Sequence, residues 1–124
     1  MANQKRVFPR IKSDWPLFHT TKEGQEKIGY VKNISLTGVH IIFSKDYNLD
    51  PEKHTFNLKL KNNQLEPAEL SIIGLKEWTS VEKNELQLGL SLEKFDRAKR
   101  SHFVRFLSRS DKLHVEVFLI ENGT

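Results

Sequence analysis

"KIGYVKNISLTGVHIIF", residues 27–43, decides how this chain is read. Two runs of β-branched and aromatic residues flank a short polar centre, "NISLTG" (33–38). On the far side, "GVHIIFS" (38–44) places Val39, Ile41 and Phe43 on one alternate face, the period of a strand. Asn, Ser, Thr and Gly are ordinary turn formers, so the centre reads first as a tight reversal between two strands. Gly38 is expected to take a positive φ there. Asn33 and Ser35, two apart, are expected to share a face on extended backbone.

Outward from this stretch the same period recurs. "WPLFHT" (15–20) precedes it, with Pro16 suited to a strand start or an edge. "YNLDPEKH" (47–54) carries turn chemistry. "TFNLKLK" (55–61) alternates cleanly, with Phe56, Leu58 and Leu60 on one side. "NNQLEP" (62–67) turns again, and "AELSIIGLKEWTS" (68–80) and "ELQLGLSLEKF" (85–95) follow as two longer strands. Short strands at this spacing point to a small barrel or sandwich. The period then becomes helical in "FDRAKRSHFVRFLSRS" (95–110), with Asp96 as N-cap and Phe95, Ala98, Phe103, Phe106 and Leu107 on the apolar stripe. Its other face is basic: Arg97, Lys99, Arg100, Arg105 and Arg109. "LHVEVFLI" (113–120) reads as a last strand, covering an open barrel edge or meeting a partner.

Composition narrows the function classes. The 124 residues suit one domain with a real core. Lys and Arg number 20 against 16 Asp and Glu, a mild excess that favours anionic partners. No cysteine is present, which excludes a disulfide framework and a thiolate metal cluster. Lys5 and Arg6 have no apolar run behind them, so no signal peptide is read, and no stretch approaches the roughly 20 apolar residues of a membrane span. A cytoplasmic protein without membrane insertion is expected. The five histidines are scattered, with no HExxH or other zinc spacing. There is no GxSxG, P-loop or GxGxxG, and no acid–base pair stands out, so no catalytic residue, metal site or cofactor is assigned. The sequons at Asn33 and Asn122 lack a secretion signal and read as chance matches.

A second motif lies upstream. In "KRVFPR" (5–10), Arg6 and Arg10 form RxxxR on a polar, basic segment that Pro9 bars from a regular helix. RxxxR followed by NxSxxG, then "GVHIIF", Trp78 and "LQLGLSLEKFD" leading into a helix, resembles the PilZ family over residues 5 to 108. The resemblance implies a mainly β fold: a six-stranded antiparallel β-barrel with a C-terminal helix, here followed by an extra C-terminal strand. It divides the chain into an N-terminal arm (1–12), the barrel with its helix (13–110) and the strand extension (111–124). It implies a bacterial receptor for the second messenger cyclic di-GMP, not an enzyme. The receptor would regulate a protein partner in motility, adhesion or exopolysaccharide control.

The implied ligand contacts are Lys5, Arg6, Arg10, Asn33, Ser35, Gly38 and Trp78. The Arg forks match phosphate oxygens or the O6 and N7 of guanine. Asn33 would accept from a guanine N–H, Ser35 would offer its hydroxyl, Gly38 would let backbone approach, and Lys5 would add a charge. Trp78 would supply a stacking face, or else fill a core or rim place. The arm is expected to close over the ligand and order residues 4 to 12. Many family members carry Asp where this chain has Asn33, which removes a charge from the site. Two other readings stay open: an interaction adaptor on the same fold that binds no nucleotide, and a nucleic-acid-binding barrel using the basic helix. The strands lack the exposed aromatic run that nucleic acid favours. The C-terminal strand leaves homodimer formation open.

Overall fold

The computed structural model describes residues 11–21, 23–65, 68–110 and 113–120. Among the described residues, seven strands and one helix follow in chain order: β1 (Ile11–Thr21), β2 (Gly24–Ile34), β3 (Gly38–Phe43), β4 (Thr55–Lys61), β5 (Glu69–Glu82), β6 (Glu85–Leu92), α1 (Arg97–Arg109) and β7 (Glu116–Ile120). The strands close a barrel in the order β1-β2-β3-β6-β5-β4-β7. β1 takes in Ile11 and Lys12, which the sequence reading grouped with the arm. Among the described residues no helix is long and apolar enough to cross a membrane.

The alternation seen in the sequence builds the core. Val39, Ile41 and Phe43 of β3 point inward, as do Phe56, Leu58 and Leu60 of β4 and Leu88 and Leu90 of β6. A two-residue turn at Lys83 and Asn84, both at positive φ (52° and 66°), links β5 to β6. This is the turn whose twist matches a hairpin, and Asn tolerates it well. Asp96 caps α1 by accepting from the Lys99 N–H at 2.8 Å. Phe103, Phe106 and Leu107 of α1 join the core cluster.

The count of six antiparallel strands is corrected here. β7 lies inside the barrel, antiparallel to β4 and parallel to β1. Its Val117 and Leu119 face the core, and its Phe118 stacks on Phe18 of β1 with ring centroids 5.6 Å apart. Without β7, the free edges of β1 and β4 would expose unpaired backbone groups. α1 joins β6 to β7, which are not neighbours in the sheet, and so carries the chain across to the gap between β4 and β1.

Register shifts interrupt the pairing at four places, two between β1 and β2, one between β2 and β3 and one between β5 and β6, and the last two bear on the outer face. In β2, Val31 pairs with Ile41 and Asn33 with His40, leaving Lys32 as the extra residue. In β5, Lys76 pairs with Leu90 and Trp78 with Gly89, leaving Glu77 as the extra residue. A bulge of this kind reverses which face the following residues occupy. Strict alternation would put Asn33 on the same side as buried Val31, and Trp78 on the same side as buried Ile72. The bulges turn both to the outside.

Candidate functional site: a concavity on the outer face of the barrel

Side chains that pair directly across strands share a face. Asn33 pairs with His40, His40 with Gly89, and Gly89 with Trp78. One row therefore crosses β2, β3, β6 and β5 on the outer surface. It floors a concavity of about 320 Å³, lined among others by Asn33, Thr37, Gly38, His40, Glu77 and Trp78. Ile11, which follows Arg10 directly in the chain, pairs with Ile34 at the edge of this row.

Trp78 shows why the site needs a glycine at its centre. A Cβ at position 89 would overlap the Cε2 and Nε1 atoms of the indole, so Gly89 lets the ring lie down on the strand. The indole meets His40 edge-on, with centroids 5.1 Å apart, and remains 45% exposed. An aromatic held flat and half open to solvent is suited to stacking a planar ligand.

The turn "NISLTG" differs from expectation at two residues. β2 ends at Ile34, so Ser35 lies in the turn and does not share the outward face of Asn33. Ser35 is 3% exposed, and its hydroxyl oxygen accepts from the Thr37 and Gly38 N–H groups at 3.2 Å each. Its own N–H donates to the Gly38 carbonyl at 2.9 Å. The side chain thus supplies the hydrogen bonds that close the reversal. That removes the need for a left-handed residue, and among the described glycines only Gly24 has positive φ. Gly38 serves close approach instead, since a Cβ there would stand 3.0 Å from the Leu90 carbonyl oxygen.

Of the seven residues implied as ligand contacts, Asn33, Gly38 and Trp78 line the one concavity. Ser35 lies beneath its rim as part of the turn. Lys5, Arg6 and Arg10 lie outside the described residues. His40, Thr37, Glu77 and Gly89 also line the concavity and were not singled out from sequence. His40 was legible: with Val39 and Ile41 inward, His40 had to face out. Nearby on the same face, burial pushes the Tyr30 phenol above its ordinary range, and Glu85 and Asp14 add in the same direction.

No protein-family model matches the chain, and no curated protein matches it by sequence. Solved structures do. The structure of Bacillus subtilis inhibitor of motility (MotI/DgrA) superposes with a TM-score of 0.58 at 11% identity, over 88% of this chain and 53% of that one. This chain thus spans about half the length of MotI/DgrA. The PilZ domain of YcgR from Escherichia coli, solved with c-di-GMP, superposes with a TM-score of 0.53 at 12% identity, over 88% of this chain and 97% of that one. The closed barrel with its helix has a PilZ-like fold.

Proposed function

We infer that the chain is a non-enzymatic receptor for cyclic di-GMP that signals to a protein partner. The observation that carries this reading is the outward row of Asn33, His40, Gly89 and Trp78 beside the strand that continues from RxxxR. A planar platform, an amide with donor and acceptor, and two arginines next in the chain match a ligand made of guanines and phosphates. The YcgR PilZ domain, solved with c-di-GMP, supports this ligand, and MotI/DgrA, an inhibitor of motility, supports an output in motility. Lys5, Arg6 and Arg10 would grip phosphates and a guanine edge, Asn33 would accept a guanine N–H, and Trp78 would stack a base. Gly38 keeps the rim low enough for backbone approach. The role of Ser35 is to hold the turn and so to aim Asn33.

The test is isothermal titration of the full chain with cyclic di-GMP. Saturable binding that weakens in Asn33→Ala supports the reading. A folded chain that shows no binding overturns it in favour of a nucleotide-independent adaptor.

A further inference from the structure

Behind the concavity runs a short hydrogen-bond relay. The Nε2 atom of His40 lies 2.8 Å from the Oε1 atom of Gln87, and the Nε2 atom of Gln87 donates to the Glu82 carboxylate at 2.7 Å. Gln87 is only 7% exposed, so its amide has little water to turn toward. The two ends of that amide are chemically opposite. A carboxylate only accepts, so Glu82 takes the NH2 end and leaves the carbonyl oxygen facing His40. That oxygen also only accepts, so the nitrogen of His40 that meets it must carry the proton. In the neutral ring the other nitrogen, Nδ1, then holds a lone pair. Among the described residues no partner for Nδ1 is present, and the ring lines the concavity beside Asn33.

We propose that Glu82 and Gln87 are positioning residues that hold His40 as its Nε2–H tautomer, and that Nδ1 of His40 is a specificity-determining acceptor for guanine. The proposal rests on the ligand class inferred above. Asn33 and His40 are directly paired residues of β2 and β3, which places their side chains about 5 Å apart at the backbone. With both side chains lining the concavity, the amide oxygen of Asn33 and Nδ1 of His40 would present two acceptors to one ligand edge. The guanine edge carries two neighbouring donors, the N1–H and the 2-amino group, and matches them. Adenine sets a lone pair at N1 beside its 6-amino group, so one acceptor in the pair would meet another lone pair. A polar site built for one donor pattern rejects the wrong pattern strongly, because its own groups go unpaired.

Two readouts separate the relay from the ligand. In the chain without ligand, the ring nitrogen shifts of His40, taken from two-bond ¹H–¹⁵N spectra where the ring is neutral, report the tautomer. The expected result is a protonated Nε2. Glu82→Lys offers a donor in place of an acceptor, turns the Gln87 amide over, and should invert the tautomer to Nδ1–H. Position 82 is exposed and opposite Glu85, so a lysine is tolerated there. Titration with cyclic di-GMP and cyclic di-AMP then reads selectivity. His40→Phe keeps a ring against Trp78 but removes the acceptor. It should lower the preference for cyclic di-GMP by about three- to tenfold, the value of one neutral hydrogen bond. Glu82→Lys should lower the preference in the same direction. A wild-type ring protonated at Nδ1 overturns the relay. A correct tautomer with an unchanged preference in His40→Phe overturns the specificity role. A correct tautomer in a chain that binds neither dinucleotide overturns the ligand reading and the guanine role together.

Discussion

Gly89→Ala sets a methyl group where the Trp78 indole now lies. The added Cβ would overlap the Cε2 and Nε1 atoms of the ring, and one of the two must move. The strand backbone is held by pairing on both sides, to β3 and to β5, whereas the indole is half exposed and free to swing outward. The ring is therefore what yields. A Trp side chain that left the surface altogether would forfeit at most about 3 kcal/mol at about 25 cal/mol per Å². A ring that tilts and keeps half its contact loses about 1–1.5 kcal/mol. Replacing glycine in a strand returns roughly 0.5–1 kcal/mol of backbone entropy. The net stability loss should be about 1 kcal/mol or less, a fall in Tm of no more than about 5 °C. Binding should suffer far more, because a tilted indole no longer offers a flat face. Base–aromatic stacking is worth about 1–3 kcal/mol, which is roughly five- to 150-fold in Kd. Calorimetric titration with cyclic di-GMP measures the second effect and thermal melting the first. Tryptophan fluorescence reports the ring itself, since the other tryptophan, Trp15, is 4% exposed and far less sensitive to the change. Unchanged emission with unchanged affinity would refute the platform. A collapsed fold would refute the claim that the ring, rather than the strand, gives way.

Arg6→Ala and Arg10→Ala should each weaken cyclic di-GMP binding by about ten- to a hundredfold, the value of a charge-assisted hydrogen bond, with the Tm unchanged; a stability loss with intact binding would show them to be structural. Ser35→Ala should cost about 1–2 kcal/mol in urea unfolding, because the Thr37 and Gly38 N–H groups lose their acceptor. An unchanged midpoint would mean that the turn does not depend on that hydroxyl. Leu119→Ala should cost about 2–5 kcal/mol by the same assay, as expected of a residue 1% exposed inside the barrel. A cost near zero would make β7 an appendage rather than a wall.

What was legible in the sequence was whatever obeyed a simple period. Val39, Ile41 and Phe43, or Phe56, Leu58 and Leu60, announce buried strand faces because polar residues separate them, and the core confirms each. Asp96 announces the helix start by the capping chemistry of its carboxylate. β7 was readable as a strand covering an open barrel edge, but not as the neighbour of β1 and β4 in particular. "LHVEVFLI" says that the segment is extended and half apolar, while its neighbours are fixed only by closure of the sheet. The turn was readable as a turn. Its mechanism was not, because Ser35 and Gly38 could each have satisfied the reversal, and only the packing of Gly38 against Leu90 shows which one does.

The site itself lies where the period breaks. Asn33 sits two residues from Val31 and Trp78 six from Ile72, and in a regular strand those separations would bury both. Burying Asn33 would strand an amide among aliphatic side chains at a cost of about 1–3 kcal/mol. Burying Trp78 would remove the one large aromatic face that the concavity presents. The bulges at Lys32 and Glu77 resolve both conflicts with one extra residue each, and they fall on strands at opposite ends of the same row. The bulge at Lys32 also returns Ile34, 1% exposed, to the core, whereas the bulge at Glu77 is followed by no buried residue of β5. Each interrupts the local ladder of backbone pairing and turns a polar or aromatic side chain to the outer surface. Places where a sequence departs from its own pattern are where function is expected. Here two independent departures converge on one surface, with Gly89 between them shaped to receive the indole. That convergence ties the geometry of the barrel to ligand recognition more directly than the strand count or the overall likeness of fold.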